Sequence, residues 1–428
     1  MLVTARAPVT AGMPVTAGAE AGAAPGTALR TPPSLAAAAL PGYAATYGRS
    51  VLDLDQALAA APAPDGLIDL THGDTRAFVP PSAAAADFSA GLAENTEAYT
   101  PYRGSSAVRS VLAPRLARLL GRPVDAGREL IITPGTQGGL FAALSALVSP
   151  GDVVALPDPE YFMSERILGY LGATAHRIPL DQDAAGRLSP APGALRAAAA
   201  AGARLLVLSH PNNPTGGVYT AAAAAAIADL VTSTDMLAVV DQLYCRLIFA
   251  GTDYVHLGAQ PGMAQRTVTL VGPSKTESMS GYRVGVAVGP APAVDAMERV
   301  VSLTALRTAG YAQQALRHWM ADDEDWLARR TAAHQGLRDD LVRRLAALPG
   351  VTVATPAGSS YVFPDASRAP GGGPDDHAVA LALKAAGVLV SPGYQFGAAG
   401  RGRFRINFSQ DAGRLALACD RIAAVLSG

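Results

Sequence analysis

The feature that most constrains this chain is a regular alternation through its middle. Short runs of continuous apolar residues, many of them β-branched, are separated by stretches rich in alanine and leucine. Glu129-Leu-Ile-Ile-Thr133, Asp152-Val-Val-Ala-Leu156, Arg204-Leu-Leu-Val-Leu-Ser209, Met236–Val240 and Thr267–Val271 read as strands. Gly138–Val148, Tyr161–Leu171 and Thr220–Thr232 read as helices. Strands without polar alternation are covered on both faces, and strands alternating with helices make a parallel or mostly parallel sheet. The expected fold class is therefore α/β. Ligands of such sheets sit at the carboxyl ends of the strands, so polar residues there need explaining.

The flanks differ. Gly42–Ala61 is helical in pattern, and Gly66-Leu-Ile-Asp-Leu70 reads as a short strand running into a turn at Gly73-Asp74. After Val284-Gly-Val-Ala-Val288 a long helical stretch covers Ala291–Leu348, interrupted near Gly310. Shorter strands follow at Val351–Ala354, Tyr361–Phe363, Val388–Val390 and Phe404–Phe408, and Asp411–Leu426 closes the chain as a helix. The change of pattern predicts a second, smaller α+β domain. The expected division is a disordered tail at 1–33, an N-terminal part of the small domain at 34–80, a large domain at 81–305 and a small C-terminal domain at 306–428. The tail is rich in Ala, Gly, Thr and Pro; Gly12, Pro14 and Gly18 break any apolar run and Glu20 adds charge, unlike a secretory signal.

Composition narrows the function classes. The chain has 428 residues, enough for two domains, and at 50% apolar and 16% charged it is a packed protein rather than a disordered one. With a net charge of -1 there is no basic excess to argue for nucleic acid, and no polybasic or long apolar run argues for a membrane. The two cysteines, Cys245 and Cys419, have neither metal-ligand nor disulfide-framework spacing, so no metal is expected and a reducing cytoplasm is.

Several polar motifs follow the expected strands. Thr133-Pro-Gly-Thr-Gln-Gly-Gly-Leu140 ends a strand and opens a helix, so free backbone N–H groups and the Thr136 hydroxyl suit a phosphate; a plain strand-to-helix turn is the blander alternative. His210-Pro-Asn-Asn-Pro-Thr-Gly-Gly217 projects the Asn213 amide from a rigid turn, or is an ordinary turn. Asp241, in Asp241-Gln-Leu-Tyr244, needs a partner at the end of an apolar strand, and a protonated pyridine nitrogen would serve as well as a helix N-cap role. Lys275, in Gly272-Pro-Ser-Lys275, stands just past a strand in a setting suited to imine chemistry, and Arg283, in Ser280-Gly-Tyr-Arg283-Val-Gly285, can grip a phosphate with its planar fork; a surface lysine and a core-rim arginine are the blander alternatives, against which the surrounding serine and glycine favour an anion site. Arg405 alternates with Phe404, Ile406 and Phe408 and suits a bidentate clamp on a carboxylate; a solvated strand arginine is the blander alternative, which suits Arg403 better. Tyr161, after Leu156-Pro-Asp-Pro-Glu160, can stack on an aromatic ring or simply pack.

This set, in this order from about Gly73 to Phe408, resembles the class I/II aminotransferases, the fold-type I enzymes dependent on pyridoxal 5'-phosphate (PLP). The resemblance implies a large domain with a mostly parallel central sheet plus a smaller α+β domain. It implies Lys275 as the Schiff-base lysine and general base, Asp241 against the pyridinium nitrogen, and Asn213 and Tyr244 on the phenolic oxygen. Tyr161 would stack on the ring, while Gly135, Thr136, Gln137, Ser274 and Arg283 would hold the phosphate. Tyr99, in Tyr99-Thr-Pro-Tyr-Arg-Gly104, would reach the phosphate of a neighbouring subunit, implying a homodimer with shared sites. Arg405 would bind the substrate α-carboxylate, with Gly73 and Asn213 lining the substrate pocket.

The implied reaction is transamination between an L-amino acid and a 2-oxo acid. The carbanion left when the α-proton is removed also serves γ-elimination or cyclisation and oxidation by dioxygen, and a non-catalytic PLP-binding regulator is a further alternative. Three positions depart from the family pattern: Gly272, three residues before the lysine, often Ser or Thr; Gln242, usually an acid; and Thr276-Glu-Ser-Met-Ser280, which carries Glu277. For substrate choice, Arg307 would suit an acidic side chain, and His72 with Glu277 a polar or basic one; a helix-surface arginine is the plainer alternative for Arg307.

Overall fold

A computed structural model describes residues 32–40, 48–94 and 99–428. The expected tail over 1–33 lies almost wholly outside the described residues, as does the start of the helix expected from Gly42.

The strands are β1 (Ile68–Asp69), β2 (Leu130–Thr133), β3 (Val153–Asp158), β4 (Thr174–Gln182), β5 (Arg187–Pro190), β6 (Ala203–Ser209), β7 (Val218–Tyr219), β8 (Leu237–Asp241), β9 (Thr267–Val271), β10 (Gly285–Val288), β11 (Tyr361–Val362), β12 (Val388–Leu389), β13 (Ser391–Pro392) and β14 (Phe404–Asn407). Nine of them form the main sheet, in the order β2-β10-β9-β8-β6-β3-β4-β5-β7. The central pairs β9–β8, β8–β6, β6–β3 and β3–β4 are parallel, and β10 runs antiparallel between β2 and β9.

The apolar runs do what two-sided burial requires. Val154, Leu156, Leu205, Val207 and Val239 pack into one cluster with helices Gly135–Leu147 and Ala291–Thr304. Their alternates Ala155, Leu206, Leu208, Ala238 and Val240 pack on the other face with helix Ala221–Ser233. The period of two along each strand thus builds a helix–sheet–helix sandwich. Thr133, Asp158, Ser209, Asp241 and Val271 end their strands along one edge.

A separate apolar cluster joins helices Glu324–Ala346, Asp376–Ala385 and Ala412–Leu426 to β11, β12 and β14. Here β1 pairs in parallel with β12, Ile68 opposite Val388, and β11-β14-β13 make a small antiparallel sheet.

Two expectations are corrected. The stretch Ala291–Leu348 is three helices, Ala291–Thr304, Gly310–Gln314 and Glu324–Ala346, with breaks where Leu306, Met320 and Asp322 take positive φ. Val351–Ala354 is not a strand: only Thr352 makes a bridge, to Asp365, while the Thr355 N–H turns to the Ala184 carbonyl. The half-exposed strands β4 and β5, and helices Ser82–Glu94 and Ser106–Leu120, carry no signal as strong as the buried runs and were not foreseen.

Candidate active site

At the carboxyl edge of the main sheet, beside the small sheet, lies a cavity of about 400 Å³. Its wall brings together Thr136, Gln137, Tyr161, Asn213, Asp241, Tyr244, Ser274, Lys275, Arg283 and Arg405, all foreseen from the sequence. Each reaches it for a local reason. The strand-to-helix turn after β2 delivers Thr136 and Gln137, and the end of β8 delivers Asp241 and, one turn later, Tyr244. The segment after β9 carries Ser274 and Lys275. β14 contributes Arg405 from the small sheet.

The floor is acidic. Asp241 touches the cavity but is otherwise enclosed by protein, and it makes no ion pair at contact distance among the described residues. Burial pushes its carboxyl up to about 6, against a hydrogen bond from the Leu243 N–H and the charge of Lys275, both of which favour ionisation. A cation placed against it would restore the carboxylate.

One end is set up for an oxyanion. Glycine at 135, with φ of 76°, lets the chain turn tightly into the helix. A side chain there would collide with the Arg283 guanidinium, whose Nη2 lies 2.4 Å from the position of a Cβ. The Thr136 hydroxyl is buried without a hydrogen-bond partner. Gly272 belongs to the same arrangement, since a Cβ there would stand 2.9 Å from Thr136 Oγ1. The position where the family often has Ser or Thr is thus filled by the Thr136 hydroxyl from the opposite side.

The other end is set up for a carboxylate. Arg405 is 5% exposed. Its guanidinium donates to Asn213 Oδ1 at 2.7 Å and Ser391 Oγ at 3.1 Å, and it stacks on the Tyr361 ring with Cζ 4.1 Å from the centroid. These partners are neutral, so the charge is positioned without being cancelled, and Nε has no partner. Because Asn213 turns its oxygen to Arg405, its NH₂ is the end left to donate elsewhere. Tyr161 donates to Gln137 Oε1 at 3.1 Å.

Residues that the sequence reading missed complete the wall: Tyr361, Ser391, Gln395, Phe162, Thr71, Leu243, Ser209 and Ser280. Glu160, fully buried behind Tyr161, is another residue that the sequence reading assigns no role. It accepts from the Ser209 N–H and from the Tyr161 N–H, and burial pushes it up to about 8. A proline-flanked acid beside an aromatic residue was the available signal.

Several foreseen residues stand elsewhere. Gly73 does not line the cavity; its neighbours Thr71 and His72 do, because Gly73 faces Ser409. Gly135 shapes the turn from behind. Glu277 is 2% exposed, lies 3.0 Å from Arg246 and does not line this cavity. Tyr99 is 78% exposed, with the Arg307 guanidinium 4.6 Å over its ring, and neither residue lines this cavity.

The donors, the buried acid, the arginine clamp and the glycines that clear space between them fit PLP with an amino-acid substrate. Comparison with known proteins agrees. The family model for aminotransferase class I and II matches residues 65–422. An arginine–pyruvate transaminase of Pseudomonas aeruginosa is 31% identical over 86% of this chain and 92% of its own. A crystal structure of an aspartate aminotransferase from Rhodobacter sphaeroides is 40% identical, with a TM-score of 0.81, and covers 88% of this chain and 99% of that one. An N-succinyldiaminopimelate aminotransferase from Mycobacterium tuberculosis, 26% identical with a TM-score of 0.79, covers 89% and 98%. On this evidence the chain belongs to the class I and II aminotransferases and is a PLP-dependent enzyme.

Proposed function

We propose that Lys275 attaches the cofactor as a Schiff base and then moves the α-proton of an L-amino acid whose amino group passes to a 2-oxo acid. The observation that carries this reading is the convergence of Lys275, Asp241, Asn213, Tyr244, Arg283 and Arg405 on one cavity. PLP, when bound, supplies an electron sink for the pair left on the α-carbon. The chain's residues do the rest. Thr136, Gln137, Ser274 and Arg283, with the amides at the start of helix Gly135–Leu147, hold the phosphate. The Asp241 carboxylate keeps a proton on the ring nitrogen. Asn213 and Tyr244 donate to the phenolic oxygen, and Tyr161 covers the ring. Arg405 orients the α-carboxylate, and Lys275 Nζ, released when the substrate's amino group takes its place on the cofactor, takes the α-proton as a general base and gives it back as the conjugate acid.

The exposed Tyr99 supports a homodimer in which this tyrosine serves the phosphate of the neighbouring site. We read 81–305 as the cofactor-bearing domain and 34–80 with 306–428 as the smaller one, and assign the enzyme to the cytoplasm. Among the described residues no helix is long and apolar enough to cross a membrane. Thr71, His72, Phe162 and Gln395 on the outer wall include no lysine, arginine or carboxylate. That favours a neutral or aromatic substrate side chain for this subunit's share of the site, although relatives are named for arginine and aspartate as well as aromatic amino acids.

The test is to load the purified protein with PLP and add amino acids singly. Loss of the visible band with keto-acid formation is expected, and Lys275→Ala should show neither. Oxygen consumption, or ammonia release without an acceptor, would replace transamination by another fate of the carbanion. A variant lacking Lys275 that kept the native visible band would overturn the lysine assignment.

A further inference from the structure

Tyr361 was not among the residues foreseen, yet it sits at the centre of the site. It opens β11 directly opposite Asn407 of β14, lines the cavity, and is 4% exposed. Its oxygen lies 2.7 Å from that of Tyr244, and the two rings meet edge to face at 5.3 Å. Each phenol has a single proton, so the pair shares one hydrogen bond and one of the two hydroxyls is committed to it.

We propose that Tyr361 is a positioning residue for Tyr244: its oxygen accepts the Tyr244 hydroxyl and competes for that proton with the phenolic oxygen of the cofactor. The inference rests on the cofactor reading above, in which Tyr244 donates to that oxygen.

The surroundings decide which phenol is the acceptor. The Arg405 guanidinium lies over the Tyr361 ring. Asn407 spends its oxygen on the Ser409 N–H at 2.9 Å, so its NH₂ is the end that hydrogen-bonds Tyr361. Tyr361 therefore gathers donors, while Tyr244 has Ser360 beside it and no guanidinium stacked on its ring. Burial alone would raise Tyr361, but Arg405, Lys275 and the hydrogen bonds from Tyr244 and Asn407 together bring this phenol below the ordinary tyrosine value. Tyr244 moves the other way, raised by burial and by Tyr361 beside it. The titratable and charged groups facing the pair are Arg405 on β14, Lys275 after β9 and Tyr161 across the cavity, with Asp241 and Arg283 on the same wall.

A donor to the cofactor's phenolic oxygen favours the form in which the neighbouring linkage to Lys275 has lost its proton, because the oxygen then bears more charge. Removing the competitor should strengthen that donor. The experiment is a pH titration of the visible absorption of the PLP-loaded protein, without substrate, for wild type, Tyr361→Phe, Tyr244→Phe and the double variant. Tyr361→Phe removes one oxygen and leaves the ring, and circular dichroism checks its fold. Its transition is expected about one pH unit below wild type, the scale of one hydrogen bond to a charged oxygen. The double variant should match Tyr244→Phe alone, which a merely structural role of Tyr361 would not produce. An unchanged or raised transition in Tyr361→Phe, or an undiminished shift in the double variant, overturns the inference and leaves the cofactor reading intact. A wild-type protein that acquires no visible band overturns both.

Discussion

Burial holds the Asp241 carboxyl at about 6, above its ordinary 3.8. Between those two values the folded chain binds more protons than the unfolded one, so stability falls as pH rises through this window and stays low above it. Asp241→Asn has no such group. Its cofactor-free form should outlast the native apoprotein at neutral pH by up to roughly 3 kcal/mol, with the gain gone near pH 4. Thermal denaturation of both apoproteins from pH 4 to 8 measures this, and equal melting throughout would mean that the carboxyl is paired or wet. Arg405 makes a different prediction. Its replacement by alanine removes a charge-assisted clamp of about 1.5–3 kcal/mol, which should raise KM for the amino acid about 10- to 100-fold in steady-state kinetics and change kcat less. Asp241 and Arg405 were legible because a charge at the end of, or within, an apolar strand needs a reason, and Lys275 through its company, since Asp241, Asn213, Tyr244 and Arg283 fall near the same sheet edge. Tyr361 was not, because its importance comes from Asn407 and Arg405, which approach it only once β11 and β14 pair.

The same division holds for elements. Strands buried on both faces, such as β6 and β9, stand out as uninterrupted apolar runs. β4, buried mainly at Ile178, blends into its surroundings. The turn after β2 depends on glycines of other elements: a Cβ on Gly285 of β10 would lie 2.5 Å from the Thr136 nitrogen. No reading along the chain exposes that relation, since β10 meets β2 only in the sheet. Gly272 offers the gentler test. Gly272→Ala pushes a methyl against Thr136 Oγ1, an overpacking of about 1–3 kcal/mol. Titration of the apoprotein with PLP should show about tenfold weaker binding. Unchanged affinity would mean that the Thr136 hydroxyl has room to move aside.

For the whole molecule, the proposed sharing of sites between subunits has a direct consequence. Lys275→Ala and Tyr99→Phe impair different members of the same composite site. Mixed after dissociation and reassociation, Lys275→Ala and Tyr99→Phe chains should form hybrids with one fully native site, and activity should rise above that of either variant alone. Activity no higher than the average of the two would place Tyr99 outside the neighbouring site.

The pairing of β1 with β12 ties the rim of the cavity to the far end of the chain. Arg405 also donates to the Thr71 carbonyl, and Gln410 to the carbonyls of Asp69 and His72. On the ribosome, therefore, the segment that emerges early has no strand to join until nearly all of the protein has been made. The main sheet can be assembled from what is already outside the exit tunnel, but the substrate end of the cavity cannot. A nascent chain released before β12 would carry Lys275 on the main sheet and lack Ser391, Gln395 and Arg405, the part of the wall placed to hold a substrate against it.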